Sequence, residues 1–135
     1  MDLKNQTQKR EIKFRGYAIN YWAYGSYIKV IENNKIFNII GYENDSYVYV
    51  DSESIGQFTG LKDINGIEIY EGEILYNNDR KEHCIVKFDI EKAMFIVEYL
   101  ESKDKFPLWE SISNLNYSVG NIYENPELLE NGWEK

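Results

Sequence analysis

A mainly β, antiparallel fold is what this sequence predicts: an N-terminal meander, a glycine-rich linking motif, and a small SH3-like β-barrel with a short C-terminal helix. Three observations predict it. Aromatic residues form 16% of the chain, led by twelve tyrosines, and with frequent Ile and Val they fit pleated, half-buried surfaces. Apolar and polar residues alternate in short runs separated by turn-forming Asn, Asp and Gly. Gly60, Gly66 and Gly72 fall six residues apart, each able to take the positive φ that a chain reversal needs.

Taken in order, residues 1–11 form a polar, basic tail without apolar periodicity, which is expected to be disordered. Residues 12–57 read as the meander. Ile12, Phe14, Gly16 and Ala18 alternate with Lys13, Arg15 and Tyr17 as a first strand. Asn20 to Gly25 is a tyrosine- and tryptophan-rich turn or short strand. Tyr27 to Glu32 and Ile36 to Ile40 make a hairpin around Asn33-Asn34. Glu43-Asn44-Asp45 turns the chain into Tyr47-Val48-Tyr49-Val50. Ser52 to Gln57 is either one helical turn capped by Ser52 or a loop.

Residues 58–76 are the central motif. Asp63-Ile64-Asn65-Gly66 has the composition of a tight turn, in which Asp63 bonds its own backbone and Asn-Gly tolerates left-handed geometry. Ile67-Glu68-Ile69 alternates as a half-buried strand. Residues 72–130 hold the barrel. Ile74-Leu75-Tyr76 opens it. Cys84–Phe88 and Met94–Leu100 are apolar on both faces, as strands inside a closed or doubly covered sheet are, and Asp89 to Lys92 joins them. Pro107-Leu108-Trp109 reads as an edge, since Pro cannot donate to a ladder, and Tyr117 to Tyr123 as the last strand. Asn125-Pro126-Glu127 has the cap, first-turn proline and early carboxylate of a helix start, with Gly132 as its stop.

The run from Thr59 to Ile74, with Gly60, Leu61, Asp63, Asn65, Gly66, Tyr70, Glu71 and Gly72, closely resembles the central motif of the YopX family. A second similar stretch is Val119-Gly120-Asn121-Ile122-Tyr123-Glu124-Asn125-Pro126-Glu127-Leu128-Leu129, and a weaker one Ile12-Lys13-Phe14-Arg15-Gly16-Tyr17. Glu73 stands where that family more often has Asp, and Gly16-Tyr17 where a small residue and Trp are usual. The likeness covers about residues 12 to 130 and implies a phage- or prophage-encoded, mostly β protein. It implies no biochemical role, because the family has none to transfer.

Charge and composition narrow the partners. The chain carries −8 overall, but residues 1–20 hold +3 and the remainder −11. An acidic body repels phosphate backbones, so nucleic-acid binding is disfavoured. One cysteine, Cys84, allows no internal disulfide, which fits a reducing compartment. No apolar run approaches the roughly 18 residues of a membrane span, and no signal peptide opens the chain. The expected location is therefore the cytoplasm of the host cell, away from membranes.

Candidate chemistry is sparse. Glu68, Glu71 and Glu73 could run acid–base work or hold a hard cation only if their oxygens converge, and solvated side chains are the plainer reading. His83 and Cys84 are adjacent, so a strand sends them to opposite faces, and a zinc site needs three or four such ligands. No phosphate loop, metal motif or nucleophile elbow is present. The expectation is no enzyme, no metal and no cofactor.

The tyrosine surplus of the first half is the better lead, because tyrosines with a polar tip are typical of contact surfaces and stacking platforms. Arg15, Tyr17, Tyr21, Trp22 and Tyr24 are the candidate interaction residues, while the glycine-centred motif reads as structural. Two functions follow. The chain is a protein-interaction module for a host or phage protein, with self-association also open. Alternatively it binds or sequesters a small ligand such as a nucleotide messenger, using aromatic groups with Arg15 or Lys62. Mimicry of DNA by the acidic face is a third option, which needs carboxylates at phosphate-like spacing.

Overall fold

The computed structural model describes residues 10–112 and 115–129, with the side chains of 116 and 117 left aside. Most of the basic tail and Gly132 lie outside the described residues. Among the described residues, eleven strands form two antiparallel sheets. The first holds β1 (Phe14–Ala18), β2 (Tyr21–Glu32), β3 (Lys35–Gly41), β4 (Tyr47–Tyr49), β5 (Gly56–Lys62) and β6 (Glu68–Tyr70), in the order β4-β3-β2-β1-β5-β6. The second holds β7 (Glu73–Asn77), β8 (Glu82–Asp89), β9 (Met94–Tyr99), β10 (Lys105–Pro107) and β11 (Leu115–Asn121), in the order β10-β9-β8-β7-β11. No helix among the described residues is long and apolar enough to cross a membrane.

The two segments expected on either side of Gly25 are one strand, β2. Its first part pairs with β1 up to Phe14 opposite Gly25, and its second pairs with β3 from Ser26 opposite Gly41. At this change of partner the Gly41 carbonyl packs so closely that a Cβ on Gly25 would lie 2.2 Å from its oxygen. The β2–β3 turn is Asn33-Asn34, with φ of 52° and 65°, the left-handed pair that matches strand twist in a two-residue hairpin.

Ser52–Ser54 is a short 3-10 turn whose N-cap position is Asp51, with no side-chain cap. Ser54, not Ser52, does the bonding: its hydroxyl accepts from Tyr17 N at 2.7 Å and donates to Asp51 O at 2.6 Å.

In the central motif all three glycines take positive φ: 87° at Gly60, 81° at Gly66 and 93° at Gly72. Gly60 lies where the β5–β6 register shifts, the mark of a bulge. Asp63 closes the turn as its composition predicts, accepting from Asn65 N at 2.8 Å and Ile67 N at 3.0 Å. The chain then changes sheet. Glu71 N donates to Gln57 O in the first sheet, while Gly72 N donates to Val86 O and Gly72 O accepts from Ile122 N in the second.

The second half has its five strands, but they do not close. β10 and β11 are the two edges of an open sheet, with no ladder between them among the described residues, where a closed SH3-like barrel was expected. The physical reason is Pro107. It ends β10 without an N–H to donate, and Leu108–Ser111 then forms a one-turn helix, α1. Leu108 and Trp109, expected on an edge strand, therefore lie in α1. Fully buried Leu108 joins Ile69, Leu75, Cys84, Val86, Val97, Tyr99 and Leu115 in the main core. The last strand ends at Asn121, so Ile122 and Tyr123 lie in the following turn. Pro126–Leu129 is a 3-10 turn, and Asn125 reaches backward to accept from Asn121 N at 3.2 Å instead of capping forward. A smaller core, Ala18, Ala23, Ile40 and Val50, packs on one face of the first sheet with Phe14, Tyr27, Val48 and Ile55 against it.

Candidate interaction surface

Alternation along β1 and β2 divides the five candidate residues. Arg15 lies opposite Tyr24 and Tyr17 opposite Trp22, so these four share one face. Tyr21 pairs with Ala18 and belongs to the other.

The shared face is where the two sheets meet. Arg15 is only 8% exposed. Its Nη1 is 3.2 Å from Glu73 Oε1, and its guanidinium carbon is 4.4 Å from the Trp22 ring centre and 5.0 Å from that of Tyr70. Burial pushes the Glu73 carboxyl above its ordinary value, with the Arg15 charge pulling it back. Burial likewise raises the Tyr70 hydroxyl. Tyr17 packs on Trp22 at 5.2 Å and on Tyr123 at 5.5 Å. Trp22 Nε1 donates to Glu124 at 3.0 Å, and Tyr123 donates its hydroxyl to Asp51. Arg15, Tyr17 and Trp22 are therefore brought together, mainly against other parts of the same chain. Tyr24 leans on Tyr70 at 5.5 Å and stays half exposed. A cavity of about 80 Å³ remains beside them, lined by Arg15, Trp22, Gly72, Asn121 and Tyr123 among others. Buried Arg15 Nε has no hydrogen-bond partner among the described residues.

The motif residues are scattered by role. Leu61 packs on the main core, and Asp63 and Tyr70 are buried. Asn65 and Gly66 are exposed in the turn, and Lys62 is exposed at the end of β5, apart from the Arg15 cavity. The three glutamates do not converge. Glu68 takes Lys13 at 2.7 Å, Glu71 faces Gln57 N at 3.4 Å and Glu73 holds Arg15. No group of three His, Cys, Asp or Glu among the described residues could hold a metal ion. Cys84 is fully buried and its thiol is pushed up to about 12 by that burial. His83 lies against Tyr76 at 4.8 Å, and burial lowers its imidazole.

An exposed apolar face lies further along the first sheet. On β2, β3 and β4 the register puts Ile28 beside Ile39, Val30 beside Phe37, and Ile39 beside Tyr49, with Tyr47 at the next like position. All six point one way, and none is buried: Ile28 is 48% exposed, Tyr47 56% and Tyr49 58%. Their rings pack together, Phe37 tilted against Tyr49 and Tyr47 edge to face with Tyr49, each at 5.8 Å. Sequence reasoning located these strands but not this face. The available signal was that Ile28 and Val30 on one parity, and Ile31 and Ile36 on the other, make both faces of the hairpin apolar.

Comparison with known proteins agrees with this architecture. The family model described as YopX protein matches residues 13–130. The crystal structure of protein EF1440 from Enterococcus faecalis is similar at 25% identity and a TM-score of 0.53, covering 90% of this chain and 100% of that one. Protein yopX from Bacillus subtilis is 24% identical with a TM-score of 0.49, over 87% of this chain and 98% of that one. No curated protein matches. With a match over nearly its whole described length, the chain belongs to the YopX family.

Proposed function

We propose that this YopX-family chain is a non-enzymatic protein-interaction module that presents the outer face of β2, β3 and β4 to a protein partner. It would serve as an accessory protein of a phage or prophage. One observation carries the reading: six apolar side chains share that face, with Ile28, Tyr47 and Tyr49 about half exposed or more and Val30, Phe37 and Ile39 part-buried between them. Contiguous apolar surface of this size on a soluble domain marks contact sites. Affinity capture from host lysate tests it with three baits: the native chain, Tyr49→Arg, and Ile90→Asp in a distant loop where Ile90 is 86% exposed. A partner held by the native chain and by Ile90→Asp but lost by Tyr49→Arg supports the reading. Identical capture by all three removes this face.

A groove favours a second reading, small-ligand binding. It measures about 920 Å³ and is lined by Lys13, Tyr24, Gly25, Gly41 and Tyr42 among others, within the roughly 300–1,000 Å³ of ligand sites. The Arg15 cavity, at about 80 Å³, is far below that range. A nucleotide bound by the folded chain must raise its melting temperature, so a flat thermal-shift screen removes this reading.

A further inference from the structure

Beyond the body of the first sheet, β2 and β3 run on as a two-stranded ribbon from Ser26 opposite Gly41 to Glu32 opposite Lys35. β4 extends only the inner end of it, pairing with Ile39, Ile40 and Gly41. Both faces of the ribbon meet solvent: Ile28 on one side, Ile31 and Ile36 on the other, are all about half exposed or more. A two-stranded ribbon is at best marginally stable in water on its own, so one that carries this much exposed isoleucine gains from being covered.

We propose that the face bearing Ile28, Val30, Phe37, Ile39, Tyr47 and Tyr49 docks on the same face of a second copy of this chain, about a twofold axis. The inference rests on the interaction-module reading and names its occupant. Two arguments select a second copy.

The first is area. Tyr47 and Tyr49, each more than half exposed, leave roughly 250 Å² uncovered between them at the usual size of a tyrosine side chain. Ile28 and the partly open Val30, Phe37 and Ile39 bring the face to roughly 400 Å² or more, a size at which an exposed apolar patch is often a contact site. A standard interface takes about 800 Å² from each partner, with a dry centre and a polar rim. This face supplies the centre, and Glu32 and Lys35, paired on the same side at the ribbon's tip, supply rim.

The second is charge. Segment 21–42 carries Lys29 and Lys35 against Glu32, a balance of +1, whereas residues 43–135 hold −12. A cationic partner would be drawn to the acidic body, not to this near-neutral ribbon. Two acidic copies repel one another over most of their surface, and the ribbon is where they can approach with least repulsion. A twofold contact is self-complementary by construction: each apolar face meets its own equivalent.

Sedimentation equilibrium of the full chain tests this, from about 1 to 300 µM, spanning the affinity range of weak and moderate dimers, and at low and high salt. The expected species is a dimer of twice 16.0 kDa whose dissociation constant falls as salt screens the two acidic bodies. Ile28→Lys and Tyr49→Arg, both on exposed side chains, should each raise that constant about 100-fold or more, as charges placed at an interface centre do. Unchanged far-UV circular dichroism of both variants would show that they fold. A native chain that stays monomeric throughout, or a dimer that both variants leave intact or that high salt dissociates, overturns the inference. A monomer that still captures a different protein through Tyr49 would sink the second copy while leaving the interaction module standing.

Discussion

Arg15→Met removes the cation from a buried pair but keeps an unbranched chain beneath Trp22 and Tyr70. In the native fold Arg15 lies 3.2 Å from Glu73, with both side chains at least nine-tenths buried. At that separation the attraction is about 5 kcal/mol for an effective dielectric near 20, and desolvation of the two groups offsets much of it. Removing one partner leaves the other charge buried and uncompensated, which costs about 3–5 kcal/mol. Glu73 is held above its ordinary value by burial, and the Arg15 charge is the largest influence opposing that rise. Without Arg15 the carboxyl rises further, so the folded variant takes up a proton at a pH where the unfolded chain does not. A contribution of this kind is fully present below the unfolded value of about 4.5 and is lost as pH rises through the folded one. The deficit of Arg15→Met should therefore be greatest near pH 7, at about 3 kcal/mol or roughly 10 °C in Tm. It should shrink toward about 1 kcal/mol in acid, the residue of the lost contact with the Trp22 ring. Urea unfolding read by tryptophan fluorescence across this pH range measures it. Arg15→Met combined with Glu73→Gln should regain most of the loss at pH 7. A deficit independent of pH, or no coupling between the two substitutions, would refute the electrostatic account and leave packing alone.

Three further outcomes are expected. Asp63→Ala strips the acceptor from Asn65 N and Ile67 N and should cost about 1–2 kcal/mol in urea unfolding, whereas Asp63→Asn keeps an oxygen there and should cost less. Gly72→Ala forces a side chain to φ +93° and brings its Cβ within 3.5 Å of Ile122; a loss of about 2 kcal/mol in thermal unfolding is expected. Gly66→Ala, at φ +81° with nothing within 4 Å, should lose only the backbone part. Cys84, fully buried with its thiol raised to about 12, should resist a thiol reagent at pH 8 and react only as fast as the chain opens; rapid labelling of the native chain would contradict its place in the core.

The junction residues bear on how function is divided over the fold. Tyr17, Trp22 and Tyr123 spend their ring faces on one another, and Glu124 and Asp51 take up Trp22 Nε1 and the Tyr123 hydroxyl. A cluster so engaged fixes how the two sheets meet. Ile28 on the ribbon and Tyr47 and Tyr49 on β4, each about half exposed or more, face outward instead.

The sequence by itself determined the local events. Asn33-Asn34 suits a left-handed turn, Asp63 is placed to bond its own backbone, and the three motif glycines can take positive φ, because each follows from one residue's sterics or hydrogen-bonding reach. It also determined that nearly every element would be a strand, since the alternation of Ile, Val and Tyr is a property of short windows. Tertiary structure decided what no window contains. Whether β10 reaches β11 depends on where Pro107 sends the chain, and that open gap is what leaves the second sheet unclosed. Whether a tyrosine is mortar or surface depends on partners far along the chain: Trp22 meets Glu124 across 102 residues, while Tyr49 packs on its own sheet neighbours Phe37 and Tyr47. Burial is set by the sum of all such long-range contacts, so the tyrosine surplus was legible from composition, but its division between junction and exposed ribbon was not.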